Sequence, residues 1–334
     1  MTRKFIAPAI AALVAILALP ALPARAQQLF SQDEDAIPPE LDHAYVKGMQ
    51  FLMKTQSPDG SWSNQYGNEP AVVALSMLSI LAHGEDPNSG PYHATVHRCI
   101  EYLLSNQNTD TGYIGKTMYN HGFATLALAE AYGAVQDQRL GPALQKAVDL
   151  ILTSQAHNPN GAWRYSPESP DADTTVSGAQ MVALMAARNA GIGVPEDAVN
   201  KALKFFVACQ TPDGGIGYTG PGGPNSVRTA IACAVFSYTK QEKSAAYKGT
   251  LTFLKGNNED QGPYHEYYLY YCSQAMFRGG PATFDPWNAE NIKSLTHSQA
   301  EDGSWNGQLG PTFGTAASLL SLALNYRLLP IYER

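Results

Sequence analysis

The stretch Gln56-Ser57-Pro58-Asp59-Gly60-Ser61-Trp62 decides the fold, because it returns near the C-terminus as Gln299-Ala300-Glu301-Asp302-Gly303-Ser304-Trp305. Looser copies lie between them: Gln107 through Gly112 to Tyr113, Gln155 through Gly161 to Trp163, and Gln210 through Asp213-Gly214 to Tyr218. The glutamines recur roughly every 50 residues, a period that marks one repeated supersecondary unit. The interval from Gln210 to Gln299 is double, and a degenerate copy from Gly256 to Tyr264 fills it, giving six units. Each copy closes an amphipathic helical pattern and precedes an apolar one. Asp-Gly is turn sequence, with glycine taking the positive φ that other residues avoid. The glutamine offers hydrogen bonds to backbone groups left unpaired at a helix end. The Trp or Tyr adds an apolar plate with a polar edge that can pin the turn to its neighbour. All of this is architecture, so activity must come from residues that differ between copies.

The repeats occupy most of a 334-residue chain, but its first residues stand apart. Arg3 and Lys4 precede an apolar run from Phe5 to Leu22, and Ala24-Arg25-Ala26 then offers a small-x-small cleavage site. This is the pattern of a secretory signal peptide over residues 1–26, with cleavage expected near Ala26 and an uncleaved anchor as the alternative. The expected product is exported, periplasmic or secreted. Loss of Arg3, Lys4 and Arg25 takes the formal charge from −7 to −10. An acidic chain with no basic run is a poor partner for nucleic acid or anionic lipid. No stretch of the mature chain reaches the length of an apolar membrane span. Cys99, Cys209, Cys233 and Cys272 show no Cys-x-x-Cys pair or zinc spacing. Cys233 and Cys272 fall at similar depths in neighbouring helices, and whether they are bridged stays open.

Residues 27–40 are polar and acidic and read as a leader onto a single domain, 41–334. Apolar spacing predicts six helix pairs: 41–56 with 71–82, 94–106 with 119–134, 140–154 with 174–190, 195–208 with 226–239, 244–254 with 264–277, and 287–298 with 312–326. First members carry charges such as Lys47, Glu101 and Lys146 on one face, whereas second members are apolar all round, as in helices buried on both sides. Six outer amphipathic helices around six buried ones describe an all-α fold, an (α/α)6 barrel or α/α toroid. The segment Leu328 to Tyr332 is expected to pack on the first repeat and close the ring.

The pattern Lys47-Gly48, Phe51-Leu52, Gln56, Gly60, Trp62 resembles the QW motif of squalene–hopene and oxidosqualene cyclases, shared more loosely by protein prenyltransferase β subunits. The resemblance covers nearly all of the mature chain. It implies an α/α toroid whose mouth is ringed by inner-helix N-termini, and little by itself about chemistry.

Those N-termini gather their positive dipole ends at one mouth. Residues eight to ten positions after each anchor aromatic are therefore the site candidates: His121, Asp173 and Arg228, with Pro70 and Phe313 in equivalent places. His265 and Glu266 open the fifth inner helix. Asp171-Ala172-Asp173-Thr174-Thr175 resembles the DxDD-Thr acid motif of class II terpene cyclases, whose middle aspartic acid protonates an alkene or epoxide. The resemblance implies Asp173 as that acid with Asp171 beside it, although Thr174 replaces the third acidic position. The plainer alternative is that Asp173 caps the helix starting at Thr174. Tyr119-Asn120-His121-Gly122-Phe123 resembles the His-Gly-Gly-Tyr segment with which prenyltransferase β subunits face a diphosphate. That family's zinc ligands have no counterparts between Tyr264 and Cys272 or at Phe313, so no metal, no cofactor and no protein prenylation are expected. Tyr264, Tyr267, Tyr268, Tyr270 and Tyr271 are too many for one helical stripe, so some must face the interior. Tyr267, Tyr268 and Tyr271 are assigned to the ligand, because aromatic faces suit carbocations and apolar chains.

The leading expectation is an exported relative of the squalene cyclases that binds an apolar, isoprenoid-like ligand, with acid-initiated cyclase or isomerase chemistry at Asp173. Against it stands a carbohydrate-active (α/α)6 enzyme pairing Asp173 with Glu266 or Glu69. A third reading is a non-catalytic toroid that holds an envelope protein as its partner.

Overall fold

The computed structural model describes residues 37–257, 262 and 264–332. The signal-peptide pattern at 1–26, the leader through Ala36 and most of the degenerate copy before Tyr264 lie outside the described residues. Among the described residues twelve α-helices follow one another: α1 (Pro39–Thr55), α2 (Pro70–Leu81), α3 (His93–Ser105), α4 (Met118–Tyr132), α5 (Leu140–His157), α6 (Thr174–Asn189), α7 (Glu196–Ala208), α8 (Ser226–Tyr238), α9 (Ala245–Gly256), α10 (His265–Arg278), α11 (Pro281–Ser298) and α12 (Pro311–Leu322). Every predicted helix is present. The largest boundary difference is α11, which starts at Pro281 and carries Pro286 inside it, where the sequence reading began at Trp287. Pro281 occupies the favoured first helical position, and the donor that Pro286 lacks falls early in the helix, where the backbone can still continue.

The even-numbered helices form the inner ring, each packed on the next, with α12 returning to α2. They are buried on all sides: in α4 every residue from Asn120 to Ala131 is buried, and in α12 every residue after Pro311. Alanine, glycine, serine and threonine make such close packing possible. Several buried hydroxyls return a hydrogen bond to their own helix, as Ser76 does to Val72 O (2.9 Å) and Thr125 to His121 O (2.7 Å). The odd-numbered helices form the outer layer.

The repeated turn works as a three-point pin. The Gln56 Nε2 donates to Gly60 O (3.0 Å) in its own turn and to Thr95 O (3.3 Å) in the first turn of α3. Gln107, Gln155, Gln210 and Gln299 repeat this with Ala143, Ala198, Ala246 and Ala44 of the next outer helix. The glutamine therefore joins neighbouring repeats, while the tryptophan ties the turn to its own outer helix: Trp62, Trp163 and Trp305 donate to Leu52, Ile151 and Leu295 O of α1, α5 and α11. The turn glycine is required twice over. Gly60 has φ 93°, and a Cβ there would fall 2.1 Å from Arg98 O.

Gln299 donating to Ala44 O (2.8 Å) closes the ring. Leu328 lies against Gly84 of the first repeat, but Pro330–Tyr332 continues across to α6, and Arg278 donates to Ile331 O (3.0 Å). The C-terminal segment thus lies over the end of the barrel where the inner helices finish, buried through Ile331 and Tyr332. Among the described residues this leaves the end at the inner-helix N-termini open for a site.

Candidate functional site

The caps of the inner helices ring that end: Glu69, Thr117, Asp173, Asn225, Tyr264 and Gly310. Inside the ring lies a cavity of about 680 Å³, a usual size for a small-molecule site. Its walls follow a simple register. Residues two and three places beyond each cap face it: Ala71 and Val72, Tyr119 and Asn120, Thr175, Val227 and Arg228, Tyr267, and Phe313. At 100° per residue, the next position turns outward toward the pinned turns. There Ser177 Oγ accepts from Trp163 N (3.0 Å) and Thr229 Oγ1 from Ile216 N (3.0 Å).

Aromatic rings make the floor. Phe123 of α4 meets Tyr267 of α10 across the bore at a centroid distance of 6.3 Å, and Tyr267 meets Phe313 at the same distance. Tyr271 stands edge-on to Tyr267 at 5.1 Å. The hydroxyls of Tyr267 and Tyr271 are buried and lack a well-aligned hydrogen bond, and burial pushes both phenols up.

On the α2–α4 wall, Asn120 is buried and its amide is oriented without ambiguity. Its Oδ1 accepts from Ala71 N (3.1 Å), so its Nδ2 donates to Glu69 Oε2 (2.6 Å). Glu69 occupies the cap position of α2 but makes no capping hydrogen bond with its side chain. Among the described lining residues it is the one carboxyl, and Arg228 is the one cation. Arg228 donates to Gly223 O (2.8 Å) and lies over the Tyr218 ring at 5.6 Å.

Asp173 stands behind the wall. It is fully buried, and its Oδ1 accepts from Thr175 N (2.9 Å), Val176 N (2.8 Å) and the Thr175 hydroxyl (2.7 Å). Its Oδ2 makes no hydrogen bond, with Arg164 Nε 3.6 Å away. The group that reaches the cavity is Thr175, whose Oγ1 meets the Tyr119 hydroxyl. Arg164 also pairs with Asp171 (3.2 Å) and lies 5.2 Å from the ring centres of both Tyr165 and Tyr218.

Of the residues singled out from sequence, Arg228, Tyr267, Phe313, Tyr264 and Glu69 line the cavity, whereas Asp171, Asp173, His121, His265, Glu266, Tyr268 and Tyr271 do not. Asp171 is exposed and engaged with Arg164. His121 holds the outward register position, which corrects its assignment to the ligand. Its Nδ1 accepts from Ile114 N (3.2 Å) and its Nε2 donates to Ala147 O (3.0 Å), and burial lowers its pKa to about 4. Tyr268 shares that outward position and meets Cys272 Sγ (3.1 Å). Tyr271 lies one turn below the floor residue Tyr267. His265 packs near Tyr268, and Glu266 covers Gly307, where a Cβ would fall 2.3 Å from Oε2. All four cysteines are free and buried, so Cys233 and Cys272 are not bridged; burial pushes both thiols up to about 12. Among the described residues no three His, Cys, Asp or Glu side chains gather as a metal site. The sequence reading missed the roles of Asn120, Thr175, Tyr66 and Tyr165. The cap-plus-two-or-three register would have found Asn120 and Thr175; Tyr66 and Tyr165 sit in turns and carried no such signal.

Residues 68–229 match the family model described as the squalene-hopene cyclase C-terminal domain. A lanosterol synthase of Aspergillus fumigatus is 30% identical over 140 residues, covering 37% of this chain and 17% of that protein. The chain thus spans under a fifth of that relative's length. Among solved structures, the type II terpene cyclase MstE from Scytonema, in complex with geranylgeranyl dihydroxybenzoate, superposes with a TM-score of 0.61 at 15% identity, covering 87% of this chain and 98% of that one. An α-1,6-mannanase of Salegentibacter sp. HEL1_6, in complex with α-1,6-mannotriose, gives a TM-score of 0.67 at 10% identity, covering 86% and 99%. These two likenesses speak to the α/α toroid alone. The repeated QW turns, the match across 68–229 and the toroid shared with a type II terpene cyclase together support the terpenoid cyclase superfamily.

Proposed function

We propose that the toroid binds an apolar, isoprenoid-like ligand in the cavity at its inner-helix N-termini. The aromatic floor carries this proposal: Phe123, Tyr267 and Phe313 close the bore with ring faces and edges, a surface that suits an apolar chain. A glycosidase needs two carboxyls astride its bond, and Glu69 is the one that lines the described wall. The solved relative MstE, in complex with a geranylgeranyl compound, supports the same ligand class. The signal-peptide pattern at 1–26 supports a protein that works outside the cytoplasm.

Acid-initiated chemistry at Asp173 has less support than binding. Class II cyclisation needs a proton donor against the substrate, and the Asp173 carboxyl is spent on capping α6 behind Thr175. Native mass spectrometry with geranylgeraniol and with α-1,6-mannotriose tests the reading. Retention of geranylgeraniol, lost in Phe123→Asp, is expected. Retention of mannotriose alone would replace the isoprenoid with a glycan. In the same assay Asp173→Asn is expected to keep the ligand, since asparagine preserves the cap.

A further inference from the structure

The hydroxyl chain behind Tyr119 fixes which way its proton points. Asp173 Oδ1 is an acceptor, because two backbone amides donate to it. The Thr175 hydroxyl donates its single proton to that oxygen (2.7 Å). Thr175 Oγ1 can then only accept from Tyr119, so the Tyr119 hydroxyl spends its proton inside the wall. What Tyr119 presents to the cavity is a lone pair. On the neighbouring helix the same polarity arises independently. The Asn120 amide is locked by Ala71 N, both its functions are used, and Glu69 is held through Oε2, with no partner for Oε1 among the described residues. Glu69 and Tyr119 thus both turn acceptors to the cavity, while Thr117 beside them accepts from Asn120 N (3.2 Å) and keeps its own hydroxyl proton. Arg228 is a donor, but it belongs to α8, which lies on the opposite side of the six-helix ring.

Resting on the isoprenoid reading of the same cavity, we propose that the α2–α4 wall selects a ligand with a hydrogen-bond-donating head, a hydroxyl on an apolar chain, with Glu69 and Tyr119 as the recognition pair and Asn120 and Thr175 as their positioning residues. The chain lies on Phe123, Tyr267 and Phe313, and the hydroxyl donates to Glu69 and Tyr119. A ligand offering only acceptors meets the lone pairs of Glu69 and Tyr119 and leaves Glu69 Oε1 unpaired, the costlier arrangement for a desolvated polar group.

Geranylgeraniol and its methyl ether differ by the donor alone, so their affinities for the wild-type protein, measured by calorimetry in detergent at matched concentration, test the selection. The alcohol is expected to bind at least tenfold tighter. Glu69→Gln reverses the polarity, because Asn120 Nδ2 then holds the new amide oxygen and its NH2 faces the cavity. The preference should collapse or invert in Glu69→Gln and shrink in Tyr119→Phe. Thr175→Val frees the Tyr119 proton and should raise ether affinity with the fold intact by circular dichroism, a change that mere loss of packing does not produce. Equal binding of alcohol and ether overturns the selection while leaving the isoprenoid reading in place. Tighter binding of geranylgeranoic acid than of the alcohol also overturns it, assigning the head to Arg228. Binding of neither compound removes the isoprenoid reading and the selection with it.

Discussion

A histidine at a helix start invites a catalytic role, and His121 shows how the register of one residue decides against it. Its neighbours Tyr119 and Asn120 face the cavity, while His121 turns outward and replaces the hydroxyl that Ser177 and Thr229 supply in other repeats. With Nδ1 accepting and Nε2 donating, the ring is held in one neutral tautomer between α4 and α5. Burial lowers its pKa to about 4 from an ordinary 6.5. Between those values the unfolded chain binds a proton that the folded chain refuses. The stability His121 contributes is therefore complete above about pH 6.5 and is lost as pH falls toward 4, at up to about 1.4 kcal/mol per pH unit. Urea midpoints measured from pH 7 to 4 should fall more steeply for the wild type than for His121→Asn. Parallel curves would mean that His121 is exposed in solution.

The element that repeats is a helix, a pinned turn and a second helix, and most of the fold was legible because each part of the pin has a fixed residue type. Only glycine accepts φ 93° with a carbonyl oxygen where its Cβ would be, so Gly60, Gly214 and Gly303 announce the turn. The site was less legible for the same reason. Wall residues are defined by their angle around a helix, and Asn120, Thr175 and Glu69 share no residue type or spacing from the anchor that would separate them from His121 or Asp173. The Asp171-to-Thr175 motif drew notice through Asp173, while its cavity-facing member is Thr175. Gly60 and Gly191 test the pin. Both have positive φ, 93° and 88°, but Gly191 has open space where a Cβ would go. Alanine at Gly191 should cost the backbone strain alone, about 1–2 kcal/mol, and alanine at Gly60 about 2 kcal/mol more, because α1 and α3 must separate. Equal losses in chemical denaturation would show that the turn yields without moving α3.

At the scale of the whole ring, stability is shared through staples between neighbours, and one joint differs. Glutamines link α1 to α3, α3 to α5, α5 to α7, α7 to α9, and α11 back to α1. Among the described residues no glutamine links α9 to α11. Helix α9 also buries little, with Tyr247, Thr250 and Leu254 as its buried residues, against eight in α5. A closed ring with five stapled joints should unfold globally as one unit, since opening any stapled joint exposes the apolar faces of two inner helices. Below the global transition, local opening takes the path that breaks the fewest buried contacts. Hydrogen exchange followed by mass spectrometry should therefore find the least protected helical amides in α9, at residues 245–256, and markedly slower exchange in α5 and along the inner helices α4 and α6. Replacing Gln210 with alanine removes the last staple holding α9 and should speed its exchange further, with little change in α5. Uniform protection of all six outer helices, or proteolysis into two stable halves at another joint, would show that the ring is held by its inner packing and that the staples only set the register.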